Sequence, residues 1–216
     1  MGGAAMEIRV NPTRMELLRL RRRLAVARRG HKLLKDKLDE MMKRFRALVE
    51  ENRRLRTAVE EALAEATGAF VMARALMGEA ATDLALAVPA VRVRVESGTR
   101  RIMNVLVPTL APVEEGKAEP LPYGFAETSG ELDVAVSLLQ KTLAELVRLV
   151  EAEKAVELLA AEIERTRRRV NALEYVLIPQ LEEKVRFISM KLDENERATR
   201  TRLMKIKSLV ERMGET

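Results

Sequence analysis

The 216-residue chain has no cysteine and no tryptophan, one histidine, and only 3% aromatic residues. Without cysteine there is no disulfide framework, thiolate metal site or thiol nucleophile. His31 has no partner residues at ligand spacing, so a metal or catalytic role for it has no support. No GxxxxGK[ST] phosphate loop, GxGxxG, HExxH or GxSxG is found. No cofactor, metal or active site of its own is expected. With so few aromatics a thick globular core is not expected either. A thin seam of Leu, Val, Met and Ala is. No apolar run approaches the roughly 18 residues of a membrane span. The opening MGGAAMEIRVNPTR lacks the apolar region of a signal peptide. Met6 stands where a myristoylation signal has Ser or Thr. A soluble cytoplasmic protein with no direct membrane insertion is the expectation.

What is present is charge and helix-forming residues. A third of the chain is charged, the formal net charge is +6, and the pI is about 9.8. The balance of Ala, Leu, Val, Glu, Arg and Lys is that of long helices and coiled coils. A basic balance points to an acidic partner, whether nucleic acid, anionic lipid or protein.

The most informative stretch is 159–192. Its apolar stripe falls on Leu159, Ile163, Thr166, Val170, Leu173 and Leu177, in the alternating steps of four and three of a coiled-coil seam. The steps then become fours through Leu181 and Val185 before Ile188 and Leu192. Consecutive fours are a stutter, which locally unwinds a supercoil. Pro179 sits there and deprives the Tyr175 carbonyl of its usual partner, at a cost of about 3 kcal/mol. The helix either stops at Leu177 or Ile178, or continues with a kink. A stripe that resumes in helical phase, with no turn cluster after it, favours continuation.

Asn11-Pro12-Thr13 marks a helix start, with Thr13 as cap and Glu16 as capping-box partner. Heptads follow. One seam line is Leu17, Leu24, His31, Leu38, Phe45, Asn52, Val59, Ala66 and Ala73. The other is Leu20, Ala27, Leu34, Met41, Leu48, Leu55, Ala62, Ala69 and Leu76. His31 and Asn52 read as polar seam residues that set register or bond across it. Gly30 and Gly68 point to close approach of another backbone, or a soft point.

The pattern breaks at Gly78, after which 79–87 reads as a short helix. Val91, Val93 and Val95 then alternate with arginines, Ser97-Gly98 gives a turn signal, and 102–107 is β-rich. This predicts a β-hairpin of 91–96 with 102–107, followed by a Pro/Gly-rich loop through 130. A second helix begins after Thr128-Ser129, with a stripe of Leu132, Leu139, Leu143, Leu146, Val150 and Val156. Beyond Leu192 the stripe continues through Asn195, Thr199, Ile206, Val210 and Met213. The fold expected is mainly α: a long antiparallel two-helix coiled coil with a small β-hairpin insertion. Its parts are helix 13–77, insertion 78–130 and helix 131–213, both chain ends meeting at one tip.

Positive charge crowds that tip. Arg14, Arg21, Arg22 and Arg28 lie at the start of the first helix, and Arg200, Arg202, Lys205 and Lys207 near the end of the second. Nucleic acid binding would produce similar clustering. However, there is no aromatic interleaving for single strands and no basic region followed by a zipper.

Several segments together carry a family resemblance. They are Pro12-Thr13-Arg14, Gly30-His31-Lys32-Leu33-Leu34-Lys35-Asp36-Lys37, and Arg168-Arg169-Val170-Asn171-Ala172-Leu173-Glu174 with Ile178-Pro179. To these add Ile102-Met103-Asn104-Val105 with Val107-Pro108, and Arg202-Leu203-Met204-Lys205-Ile206-Lys207. In this order and spacing the chain resembles the D subunits of the archaeal-type and vacuolar-type rotary ATPases, over nearly its whole length. Asn104 stands where the family pattern has Gly, and Met204 where it has Lys.

The resemblance implies a non-catalytic central rotor shaft, one copy per complex, peripheral on the cytoplasmic face of the membrane. It implies that ATP hydrolysis or synthesis is coupled through the shaft to proton or sodium movement. The implied partners are catalytic A and non-catalytic B subunits around the basic tip, the small F subunit, and the C-type (d-type) subunit capping the rotor ring. No nucleic acid is implied. Leu17, Leu24, His31, Leu34, Leu38, Val170, Leu173, Leu177, Ile188, Leu192 and Ile206 would form the seam, with Leu17 to Leu34 against Leu192 to Met213. Val91, Val93, Val95, Ile102 and Val105, with the stripe from Met42 to Met77, would meet the F subunit. The competing reading is a basic coiled-coil nucleic-acid-binding or scaffold protein.

Overall fold

The computed structural model describes residues 11–87, 92–115, 123–124 and 128–214. In chain order the elements are α1 (Arg14–Met77), α2 (Glu79–Leu86), β1 (Arg92–Ile102), β2 (Val105–Glu115), α3 (Gly130–Ala172), a π turn (Leu173–Leu177) and α4 (Ile178–Gly214). The described residues form two compact units, one from 11–38 with 165–214 and the other from within 39–164. In each, two helical segments pack antiparallel. Val91 lies outside the described residues.

In the first unit α1 starts where Thr13 caps it. The Thr13 hydroxyl accepts the Glu16 N–H at 3.2 Å. The return arm of the capping box is not made: the Thr13 N–H donates to the Asn11 carbonyl, and the Glu16 carboxylate lies 3.6 Å from Arg19. A buried cluster of Leu20, Ala27, Leu181 and Ile188 is flanked by Leu17, Leu24, Leu177, Val185 and Leu192. Cross-helix pairs join Arg14 to Glu196 at 2.5 Å, Arg28 to Glu182 at 2.7 Å and His31 to Glu174 at 3.2 Å. Partner numbers fall as those of α1 rise, so the segments are antiparallel.

This register corrects the pairing expected from the sequence. Leu17 to Leu34 lie against the stretch that runs from Leu192 back through the π turn, not against Leu192 to Met213. Ile206, read as a seam residue, is 56% exposed. It lies ten residues beyond Glu196, the partner of the first residue of α1. Periodicity fixes which face of a helix is apolar, but not the axial offset between two such faces.

Pro179 neither ends nor breaks the helix. The turn before it widens instead, with the Ile178 N–H donating to the Leu173 carbonyl, five residues back. The sequence stutter explains why. An α-helix advances about 100° per residue, so each step of four overshoots a full turn by about 40°. Three such steps in a row would carry the stripe off the seam. A π turn takes more residues per revolution, so a step of four undershoots and restores the phase. The extra residue and the missing Pro179 N–H are absorbed together. Val170 and Leu181, on either side, stay buried, while Tyr175 and Val176 are 71% and 52% exposed.

In the second unit, Arg56 pairs with Glu153 and the Ser129 N–H reaches the Met77 sulfur at 3.4 Å, again an antiparallel order. Val59, Ala66 and Ala73 of α1 are buried on the predicted line. Leu76, placed on the other line, is 68% exposed. On α3 the predicted stripe is displaced. Leu132 is buried as predicted, but after it Leu139 and Val150 are exposed and the buried positions as far as Ala155 are Ala135, Thr142, Val147, Ala152 and Ala155 itself. The seam here is lined largely by small residues, and a reading that follows the largest apolar side chains misses it. Gly78 (φ 85°) separates α1 from α2, as the break in pattern anticipated. A Cβ on Gly30 or Gly68 would meet nothing within 4 Å, so close backbone approach does not account for either glycine.

Candidate functional site

Two regions carry a concentration of exposed side chains. The first is α4 beyond Glu196. Every described side chain from Arg197 to Val210 is exposed. Leu203, Met204, Ile206, Leu209 and Val210 are each at least half exposed. Arg197, Arg200, Arg202, Lys205 and Lys207 are interleaved with them. An exposed stripe this apolar is a candidate interaction surface.

The basic residues read from the sequence are all exposed, but they do not form one crowded point. Arg14, Arg21, Arg22 and Arg28 lie alongside the α4 residues that precede Arg197. Arg200, Arg202, Lys205 and Lys207 follow axially, beginning about 6 Å past Glu196 at 1.5 Å per residue. The sequence reading also missed the carboxylates. Glu196 and Glu182 hold Arg14 and Arg28 across the seam, in pairs too exposed to supply much stability but sufficient to neutralise local charge. Nothing in the sequence separates these two glutamates from the many others on solvent faces. His31 bonds across the seam to Glu174, the structural role expected for it. Among the described residues no group of three or more His, Asp or Glu is placed to hold a metal, and no helix is long and apolar enough to cross a membrane.

The second region is the hairpin. It exists, but its turn is not at Ser97-Gly98. The strands are longer and the register runs from Ile102↔Val105 to Arg92↔Glu115, so Met103 and Asn104 form a two-residue turn. Met103 has φ 55°, and positive φ at only the first central residue is the type II′ pattern. Gly98 sits mid-strand because a Cβ there would lie 2.6 Å from the Thr109 hydroxyl. The glycine signals cross-strand crowding rather than a turn.

Side chains alternate across the hairpin. Ile102 and Val105 share a face with Val107, which is fully buried, whereas Val93 and Val95 on the opposite face are exposed. The residues grouped from sequence as one contact are therefore split between two faces. The anchor to α3 is Glu151, another residue the sequence did not single out. One of its carboxylate oxygens accepts the Leu110 N–H at 3.0 Å and the other lies 3.2 Å from the Arg100 guanidinium.

Long antiparallel helices, an anchored hairpin and an uncovered apolar and basic helix end define an assembly subunit of the coiled-coil class. Comparison with known proteins gives the family. A model of the family described as the ATP synthase D subunit matches residues 16–208. Proteins named as D subunits of V-type ATP synthases are similar over nearly their whole length. The one from Acetivibrio thermocellus is 55% identical over 205 residues, covering 94% of this chain and 92% of the relative. Those from Thermoanaerobacter sp. and Clostridium botulinum are 53% and 52% identical, over 94% and 95% of this chain and 97% of each relative. The chain belongs to the ATP synthase D-subunit family and is a stalk subunit of a rotary ATPase. The nucleic-acid reading is set aside.

Proposed function

We propose that this stalk subunit is the non-catalytic rotor shaft of its complex, with the exposed end of α4 seated inside a ring of alternating A and B subunits. The observation that carries the proposal is the run from Arg197 to Val210, exposed throughout and both apolar and basic. Apolar side chains at helical spacing supply contact area. Lys and Arg among them meet acidic loops in weak pairs that exchange as the shaft turns. A shaft whose sides bear different residues touches successive catalytic interfaces differently, and differential contact is what shifts an interface between states. Nucleotide binding acts back on the shaft through the same coupling. ATP hydrolysis or synthesis is thereby linked to ion movement. The F subunit and the C-type cap of the rotor ring complete the set of partners, with the hairpin and the α1 stripe from Met42 to Met77 facing F. The complex is peripheral on the cytoplasmic face of the membrane.

Capture of the tagged chain from native membranes, followed by mass spectrometry, tests this reading. Co-purification of A, B and F subunits is expected, and recovery without A and B overturns it. Deletion of residues 208–216 is expected to weaken hexamer binding or uncouple ATPase activity, and unchanged coupling contradicts the placement of α4.

A further inference from the structure

The two edges of the hairpin are chemically different. A two-residue turn makes Ile102 and Val105 a hydrogen-bonded pair, and such pairs then alternate with pairs whose backbone groups point outward. On β2 the outward positions are Leu106, Pro108, Leu110, Pro112 and Glu114. Two of these are prolines, which have no N–H, and the Leu110 N–H is taken by Glu151. That edge is closed to further strand pairing, as exposed sheet edges commonly are.

On β1 the outward positions are Val93, Val95, Ser97, Thr99 and Arg101. Each retains an N–H and a carbonyl, none is proline, and residues 92–101 are exposed throughout. Among the described residues β1 has one neighbour, β2. Outward groups recur about every 6.8 Å along such a strand, the repeat that a pairing strand matches.

We infer that the outer edge of β1 takes up an extended, acidic strand from another subunit of the complex. The side chains choose the occupant. β1 carries four arginines against a single acid, Glu96. Arg100 is already held by Glu151, and the charge offered to an incoming strand is that of Arg92 and Arg101. A second copy of β1 would set arginines against arginines, and like charges across a strand pair are destabilising. A strand bearing Asp or Glu is complementary, and Val93 and Val95 offer it apolar neighbours on one face. Recognition is of the strand-addition kind, in which backbone bonds supply affinity and alternate side chains supply selectivity. The inference rests on the rotary-complex reading only for the source of the strand.

Residue-resolved amide hydrogen exchange tests it, on the chain alone and on the chain assembled in its purified complex. In the free chain the inward amides of Arg94, Glu96, Gly98 and Arg100 exchange slowly, and those of Val93, Val95, Ser97, Thr99 and Arg101 exchange fast. In the complex the outward set is expected to slow at least about tenfold. Equal outward rates in both samples overturn the inference, even where co-purification shows assembly intact. Slowing in the free chain at raised concentration means a second copy is the occupant and also overturns it. Val95→Pro with Thr99→Pro removes two outward N–H groups and leaves the β1–β2 ladder intact. It is expected to restore fast exchange at Val93, Ser97 and Arg101 in the complex, and persistent slowing contradicts edge pairing. Arg92→Glu with Arg101→Glu is expected to reduce the slowing, and undiminished slowing refutes the acidic assignment.

Discussion

The same substitution at two positions of α4 separates a residue that holds the chain together from one that serves a partner. Ile188 is fully buried in the cluster with Leu20, Ala27 and Leu181, and Ile206 is 56% exposed. Ile→Ala removes three carbons. At about 0.8 kcal/mol per buried carbon the loss at Ile188 is about 2.4 kcal/mol. The unfilled space raises this toward the roughly 2–5 kcal/mol seen for large-to-small core changes. At Ile206 the removed carbons already face water, so the isolated chain should change by no more than about 0.5 kcal/mol. Urea unfolding of each isolated variant, followed by helical circular dichroism, reads the difference as a shift in midpoint. Affinity for the catalytic hexamer is then measured with the same two proteins. Ile206→Ala is expected to bind more weakly while unfolding as the parent chain does. Destabilisation by Ile206→Ala equal to that by Ile188→Ala would refute the reasoning, since α4 past Glu196 would then be packed within the chain.

Three further outcomes are expected. Glu151→Ala leaves the Leu110 N–H without its acceptor, at a cost of about 1–3 kcal/mol, and should speed amide exchange at Leu110; an unchanged rate removes Glu151 as the anchor. Gly98→Ala should destabilise the hairpin by driving a methyl into the Thr109 hydroxyl, and adding Thr109→Ala should recover most of the loss; a thermal melt with no recovery shows that the crowding lies elsewhere. The Tyr123 hydroxyl donates to Asp133 at 2.8 Å, and burial first, then that bond and the carboxylate charge, push its ionisation up. With the folded-state value raised, its contribution is fully present below the ordinary phenol value of about 10 and is lost as pH rises above it. The stability gap between the parent chain and Tyr123→Phe should therefore narrow above pH about 10, and a gap constant with pH contradicts this.

The seam of α1 was legible because large apolar residues recur there at heptad spacing, from Leu17 and Leu20 to Val59. On α3 the same rule found Leu132, Leu159, Thr166 and Val170 but failed between them, because there the buried line runs largely through Ala135, Thr142, Ala152 and Ala155, whose hydropathy is too weak to stand out. The stutter at Leu173 was visible as a run of fours and Pro179 as a backbone problem. That one π turn resolves both needs the backbone geometry. Ser97-Gly98 misled because glycine serves two ends, turning a chain and making room, and only the partner Thr109 distinguishes them. The basic residues were legible as charge. Their division into an α1 set held partly by Glu182 and Glu196 and an α4 set beyond it was not, because an axial offset leaves no periodic trace.

Cysteine is absent from the chain, so a single Lys205→Cys supplies a unique attachment point for a photo-crosslinker on the exposed part of α4. In the assembled complex, mass spectrometry of the crosslinked product is expected to identify A or B subunits. Crosslinks exclusively to the F subunit or to the cap of the rotor ring would contradict the seating of α4 within the catalytic ring.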